Sequence, residues 1–168
     1  MRPLPSLDTD SDESRPPEEA SSSRRHRLAE GTEGGLVATL VLTAYRLPVS
    51  HALPPTAEFW SKFVAGGDSA DHTLPALVLH LLYGAGAGAL FGALFPAREP
   101  RETVGRELTG LLLATGYALA LSVFGERVVL GRLLDMDLEA DESLVFHVGH
   151  LVYGLTLGTW LGSRTSAD

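Results

Sequence analysis

The chain has 168 residues, 45% of them apolar, with 13 basic and 21 acidic side chains, a net charge of −8 and no cysteine. Its length suits one domain, and the missing thiols exclude a disulfide scaffold, thiolate zinc sites, iron–sulfur clusters and cysteine catalysis. Stretches 34–45, 74–95, 108–124 and 144–161 contain no Asp, Glu, Lys or Arg. A water-soluble helix of such length shows a charged face, so this pattern excludes a soluble enzyme and leaves a small integral membrane protein.

Residues 1–33 carry acids, arginines, prolines and the Ser21-Ser22-Ser23 run. With little apolar surface to offset the entropy of ordering, they predict a disordered acidic tail. The first apolar run starts near residue 34 without the short basic lead of a signal peptide, so the first span is expected to act as an uncleaved insertion signal. About 20 helical residues cross a bilayer core, which predicts spans at about 34–53, 74–96, 106–126 and 143–162, a transmembrane domain over 34–163, and a short tail at 164–168. The first span has Arg46 near its end, where the stem can snorkel, and Pro48 in its last turns, where it kinks or ends the helix. Between the first two spans, Pro54-Pro55-Thr56 starts a short helix. Phe59, Trp60, Phe63 and Val64 recur on it at helical spacing, as in a helix lying in the membrane interface. Gly66-Gly67-Asp68 ends it, and Asp71 or Thr73 can cap the helix that follows. The acidic loop 126–143 begins with the helix-like run 127–134.

Nine arginines fall on the side of the tail, the 96–107 loop and the C-terminus, against Arg46, Lys62, Arg127 and Arg132 on the other. That excess predicts both termini in the cytoplasm. Lys62 is the only lysine; an acidic, lysine-poor surface suits a salt-adapted organism or GC-rich coding equally. The negative charge and the lack of a basic stripe exclude nucleic acid as a partner and leave the lipid bilayer.

Spans two and four share a pattern. His80-Leu-Leu-Tyr83-Gly84, with Gly88 and Gly92, reappears as His150-Leu-Val-Tyr153-Gly154, with Gly158 and Gly162. Spans one and three match more weakly, through Gly35, Ala38 and Thr39 against Gly110, Ala114 and Thr115, with one insertion. The simplest reading is a duplicated two-helix hairpin, with parallel copies about an axis along the membrane normal. The fold class is therefore all-α: a four-transmembrane-helix bundle of two parallel hairpin repeats behind a disordered N-terminal tail. Each glycine series recurs every fourth residue and lines one helix stripe, where small residues let transmembrane helices approach closely. If the stripes of spans two and four meet, His80 and His150 face each other about 9 Å deep, at 1.5 Å per residue.

The candidate intramembrane polar site is His80, His147, His150, Tyr83 and Tyr153, with Gly84, Gly88, Gly92, Gly154, Gly158 and Gly162 as packing residues. Three roles compete. The favoured one is structural: the histidines bond tyrosines, threonines or carbonyls and fix helix packing. The second is a proton or ion path through the outer half. The third is axial ligation of haem or a metal by His80 and His150, with Gly84 and Gly154 making room for the macrocycle; no cofactor is otherwise called for. Arg46 and the Glu126-Arg127 pair are read as interfacial anchors. Ser122 and Ser143 lie in no Gly-x-Ser-x-Gly setting, so nucleophilic catalysis has no support and no enzyme is expected. The Gly-Ala-Gly-Ala-Gly run at 84–88 lacks a preceding strand and is no dinucleotide fingerprint.

Residues 35–44, the Leu53-to-Trp60 stretch and His80-Leu-Leu-Tyr-Gly-Ala-Gly-Ala-Gly-Ala resemble a family of small four-helix membrane proteins of halophilic archaea, a domain of unknown function. The resemblance covers 34–162 and implies the fold but transfers no activity. The function expected is a non-enzymatic packing or assembly component. The alternative is a small transporter or channel, oligomeric because four helices enclose little aqueous space, and the third is a haem-binding electron carrier.

Overall fold

The computed structural model describes residues 17–49, 55–94 and 103–164, and no strand occurs among them. Helix α1 spans Pro17–Val49, α2 Thr56–Trp60, α3 Thr73–Leu94, α4 Thr103–Phe124 and α5 Ala140–Arg164. A π-helical turn, Ser61–Ala65, extends α2; a 3-10 turn, Ser69–His72, leads into α3; and α4 continues in π-helical geometry over Gly125–Leu134. Among the described residues, three stretches are long and apolar enough to cross a membrane: Ser69–Leu94, Glu107–Leu134 and Ala140–Ser163.

Several boundaries differ from the sequence expectation. Residues 17–33, assigned to the disordered tail, form the first half of α1; residues 1–16 lie outside the described residues. Inside that half, Arg27 donates to Ser23 Oγ at 2.7 Å and His26 lies 3.3 Å from Glu30, both one turn apart. These exposed pairs add only tenths of a kcal/mol; tertiary packing of the next turns holds the helix. Pro48, which lacks an N–H and crowds the preceding turn, lies inside α1, whose described residues run to Val49. Residues 50–54 of the expected first span also lie outside the described residues. The run 127–134, expected to be helix-like, is helical and continues α4 without a break to Leu134, where Asp135 takes a left-handed conformation with φ 58°.

The turns follow local chemistry. Gly66 and Gly67 have φ of 70° and 79°, a backbone region that glycine enters without the Cβ penalty. Asp68 caps the 3-10 turn ahead of α3, its carboxylate accepting from Ala70 N at 3.0 Å. Thr56 Oγ1 donates to Ala76 O at 2.8 Å and ties the start of α2 to α3. At α5 the Glu142 carboxylate reaches back to Glu139 N at 3.1 Å, the acidic half of a capping box.

Helix α1 packs antiparallel on α3, α5 on α4, and α1 on α5. The α3 stripe faces α1: Gly84 lies against Thr39, Gly88 against Gly31 and Gly35, and Gly92 against the Arg27 carbonyl. The α5 stripe faces α4. A Cβ at residue 154 would lie 2.8 Å from Ala118 Cβ, one at 158 would lie 2.7 Å from Leu111 Cα, and one at 162 would lie 3.7 Å from Glu107 Cα. The two stripes therefore do not meet each other, as the sequence reading supposed. Each is used up by the helix that precedes it in the chain, because an antiparallel neighbour on a short connection closes first. Between α1 and α5 the fit is a knob: Leu42 sits over Gly149, and Leu157 and Trp160 sit over Gly34.

The core mixes a few large side chains, Leu42, Phe91, Leu130 and Leu157, with many small ones, and most large apolar side chains stay outside it. Ala38, Ala76, Ala114 and Ala118 are fully buried, while Leu82, Leu112 and Leu144 are each 63% exposed. A water-soluble core buries its leucines; small residues inside and large apolar ones outside suit a hydrocarbon surround.

Candidate functional site

The polar residues collect at the end of the helices that carries α2. There the C-terminal half of α1, the start of α3, the π-helical end of α4 and the start of α5 converge. A cavity of about 30 Å³ lies between them, lined from α1 by Thr39 and Leu42, from α3 by His80 and Tyr83, from α4 by Leu121, and from α5 by His150 and Tyr153. Such a volume holds one or two water molecules. His80 and His150 thus do share a site, although their glycine stripes do not touch.

Each expected polar group has a definite place. The Tyr153 hydroxyl donates across to the Gly84 carbonyl at 2.8 Å and is buried. From α4, the Tyr117 hydroxyl donates to Ala87 O at 2.9 Å, and its ring stacks 5.3 Å from Phe91. These two bonds cross-link the hairpins below the cavity and close it on that side. His150 Nδ1 lies 3.0 Å from the Phe146 carbonyl. A carbonyl only accepts, so Nδ1 carries the hydrogen and the neutral ring keeps its lone pair on Nε2. His80 and Tyr83 make no hydrogen bond to protein among the described residues. Arg46 lies within electrostatic range of both His80 and His150.

His147 is the hub that sequence reasoning left at the margin. Its Nδ1 lies 2.7 Å from Ser122 Oγ, and its Nε2 lies 2.8 Å from Glu126 Oε2. Glu126 Oε1 accepts from Ser143 Oγ at 2.5 Å, and Ser122 Oγ also lies 3.0 Å from Leu119 O. The signal was present: Ser122 and Glu126 are four residues apart on one face of α4, opposite a histidine on the next helix.

The order Ser122–His147–Glu126 has the distances of a catalytic triad, yet it lacks the rest of one. Ser122 is fully buried, and the backbone N–H groups around it are spent within α4, so no donors face a developing oxyanion. As for haem, ligand pockets run to about 300 Å³ and more, and the space beside Gly84 and Gly154 that was to admit a macrocycle is filled by Thr39, Ala114 and Ala118. The residues present do not fit that group. No cluster of three or more His, Asp or Glu able to hold a metal ion occurs among the described residues. Comparison of the chain with protein-family models, with curated proteins and with solved structures returns no match.

Proposed function

We propose that the chain is a four-span integral membrane protein built from two parallel hairpin repeats, with both termini cytoplasmic, acting as a non-enzymatic packing or assembly component. The observation that carries this reading is the large number of exposed leucines and valines around a core rich in alanine, joined to close helix contact along two glycine stripes. Interiors of that kind leave no aqueous route and present a continuous apolar exterior to lipid. The fourth span is α1, which lies along α3 from Gly92 to Gly84 and so occupies the same depth as an apolar helix long enough to cross. On this reading the first span begins near Arg27 rather than at residue 34.

The contacts also support the duplication. Gly84, Gly88 and Gly92 meet Thr39, Gly35 and Gly31, while Gly154, Gly158 and Gly162 meet Thr115, Leu111 and Glu107. Both series step by four on both helices, so the insertion assumed between spans one and three is unnecessary; Thr39 pairs with Thr115 and Gly35 with Leu111.

Reconstitution tests the function. Proteoliposomes holding the purified chain should pass protons, potassium and chloride no faster than empty ones. A flux that His80→Ala abolishes would instead establish the transporter reading. Reporter fusions at residues 100 and 168 should read cytoplasmic and one at Gly66 should not; a C-terminus on the other side would reduce the spans to three.

A further inference from the structure

The cavity between the two histidines is built from both hairpins. Thr39, His80 and Tyr83 reach it from α1 and α3, and Leu121, His150 and Tyr153 reach it from α4 and α5. Among the described residues no hydrogen bond joins His80 to His150, although the two rings lie within electrostatic range of each other. What this lining can bind follows from where its hydrogens and lone pairs go.

The Thr39 hydroxyl donates to Gly35 O at 2.7 Å, and the Tyr153 hydroxyl donates to Gly84 O at 2.8 Å. Each oxygen has then given its only hydrogen and keeps acceptor lone pairs. Both side chains are buried, Thr39 at 1% and Tyr153 at 5% exposure. His150 has its Nδ1 on the Phe146 carbonyl at 3.0 Å, so Nδ1 carries the hydrogen and Nε2 the lone pair. Three acceptors without a protein donor thus border one small space. His80 differs: its neutral ring has one N–H and one lone pair, and protein uses neither. Tyr83, 44% exposed, stands at the outer edge.

Inside a bilayer, bulk solvent does not reach such groups, and an unmatched acceptor is costly. The ligand that completes this set donates two hydrogens, accepts one from His80 and occupies about 30 Å³. An anion brings no hydrogens to three acceptors. A cation meets the repulsion of Arg46, which lies within electrostatic range of both histidines. A lipid tail matches none of the polar groups. Water, which takes about three partners when buried, meets every condition.

We propose that the cavity is a structural hydration site, in which one water accepts from His80 and donates to His150 Nε2 and to Thr39 or Tyr153. The water joins the first hairpin to the second where the glycine seams do not reach. Tyr153 and Tyr117, donating to α3 carbonyls on the far side, keep it a pocket rather than a channel. The site goes beyond packing by direct contact, because the histidines act as a pair only through a bound ligand. It rests on the four-span reading, whose failure shows separately in the reporter fusions.

The test is nuclear magnetic resonance on the full chain in lipid nanodiscs, with labelled histidine, at about pH 8, above the ordinary imidazole range. Nitrogen shifts should place the His150 hydrogen on Nδ1 and leave Nε2 as a hydrogen-bonded acceptor. Cross-peaks from a water slower than bulk should appear at both the His80 and His150 rings. His80→Leu removes the donor at similar bulk and should shorten the residence of that water at His150 on the order of 10-fold, the equivalent of one hydrogen bond. His80→Asn, which keeps an N–H, should restore it. A hydrogen on His150 Nε2 would overturn the site, as would acyl-chain cross-peaks, or none, in place of water at the rings. So would an unchanged residence in folded His80→Leu, or equal losses in the Leu and Asn variants. If His80→Leu does not fold, the His150 tautomer and the water cross-peaks of the unaltered chain decide alone.

Discussion

Adding one methyl group at residue 88 should loosen the α1–α3 pair, while the same change at residue 86 should not. A Cβ at 88 would land on the Gly31 carbonyl oxygen and lie 2.6 Å from Gly35 Cα. Carbon atoms settle at about 3.5–4.0 Å, so the two helices must part by about 1 Å. The obstructing atoms are backbone and cannot rotate aside, which places Gly88→Ala in the upper part of the range of about 1–3 kcal/mol that overpacking costs. At Gly86 nothing lies within 4 Å, so Gly86→Ala should be neutral or stabilise by up to about 1 kcal/mol through helix propensity. Unfolding both variants in bicelles, by steric trapping or denaturant, reads the difference directly. If they unfold within about 0.5 kcal/mol of each other, the scatter expected for surface changes, then α3 does not meet α1 along its glycines and the packing described above is wrong.

Three further outcomes follow from the same contacts. The chain has no native cysteine, so a pair introduced at 84 and 154 reports on those positions alone; it should not cross-link on mild oxidation, because the two stripes face different helices, and a cross-linked band on gels would restore a stripe-to-stripe meeting of α3 and α5. Tyr153→Phe deletes the bond to Gly84 O and should cost about 0.6–2 kcal/mol in the same unfolding assay, whereas Tyr83→Phe should fall near zero. Removing residues 1–30 takes away the α1 turn under Gly92 and should lower stability by about 1–2 kcal/mol, on the scale of a lost helix contact; an unchanged midpoint would return those residues to the status of a free tail.

The sequence displayed the three apolar helices, the glycine periodicity and the histidines because each is a property of one segment. Absence of charge fixes a span, and a four-residue step fixes a stripe. Which helix a stripe faces is a relation between segments, and a glycine has no side chain to announce its partner. That is why Gly88 was matched with the wrong neighbour, and why residues 17–33 were read as unable to pack. Their contact is made through the Arg27 and Gly31 backbone, which a count of apolar side chains does not register. His147 was seen, but its partners Ser122 and Glu126 were judged by motif and by position at a span end. The π-helical continuation of α4 past Gly125 joins Glu126 and the helix-like run 127–134 to the span without a break, and no periodicity in the sequence marks that change of winding.

Because each glycine stripe is answered within its own hairpin, the order of assembly is written into the chain. The α1–α3 seam can form as soon as α3 leaves the ribosome, before α4 exists, and the α4–α5 seam repeats the event one hairpin later. What remains is the docking of two finished units, by Leu42 over Gly149 and by the tyrosine hydroxyls that reach across to Gly84 and Ala87. The first steps are backbone against backbone and tolerate no bulk; the last is side chain into gap and leaves a water-sized void where four helices come together. The histidine cavity is thus lined from both hairpins and is complete only once they dock.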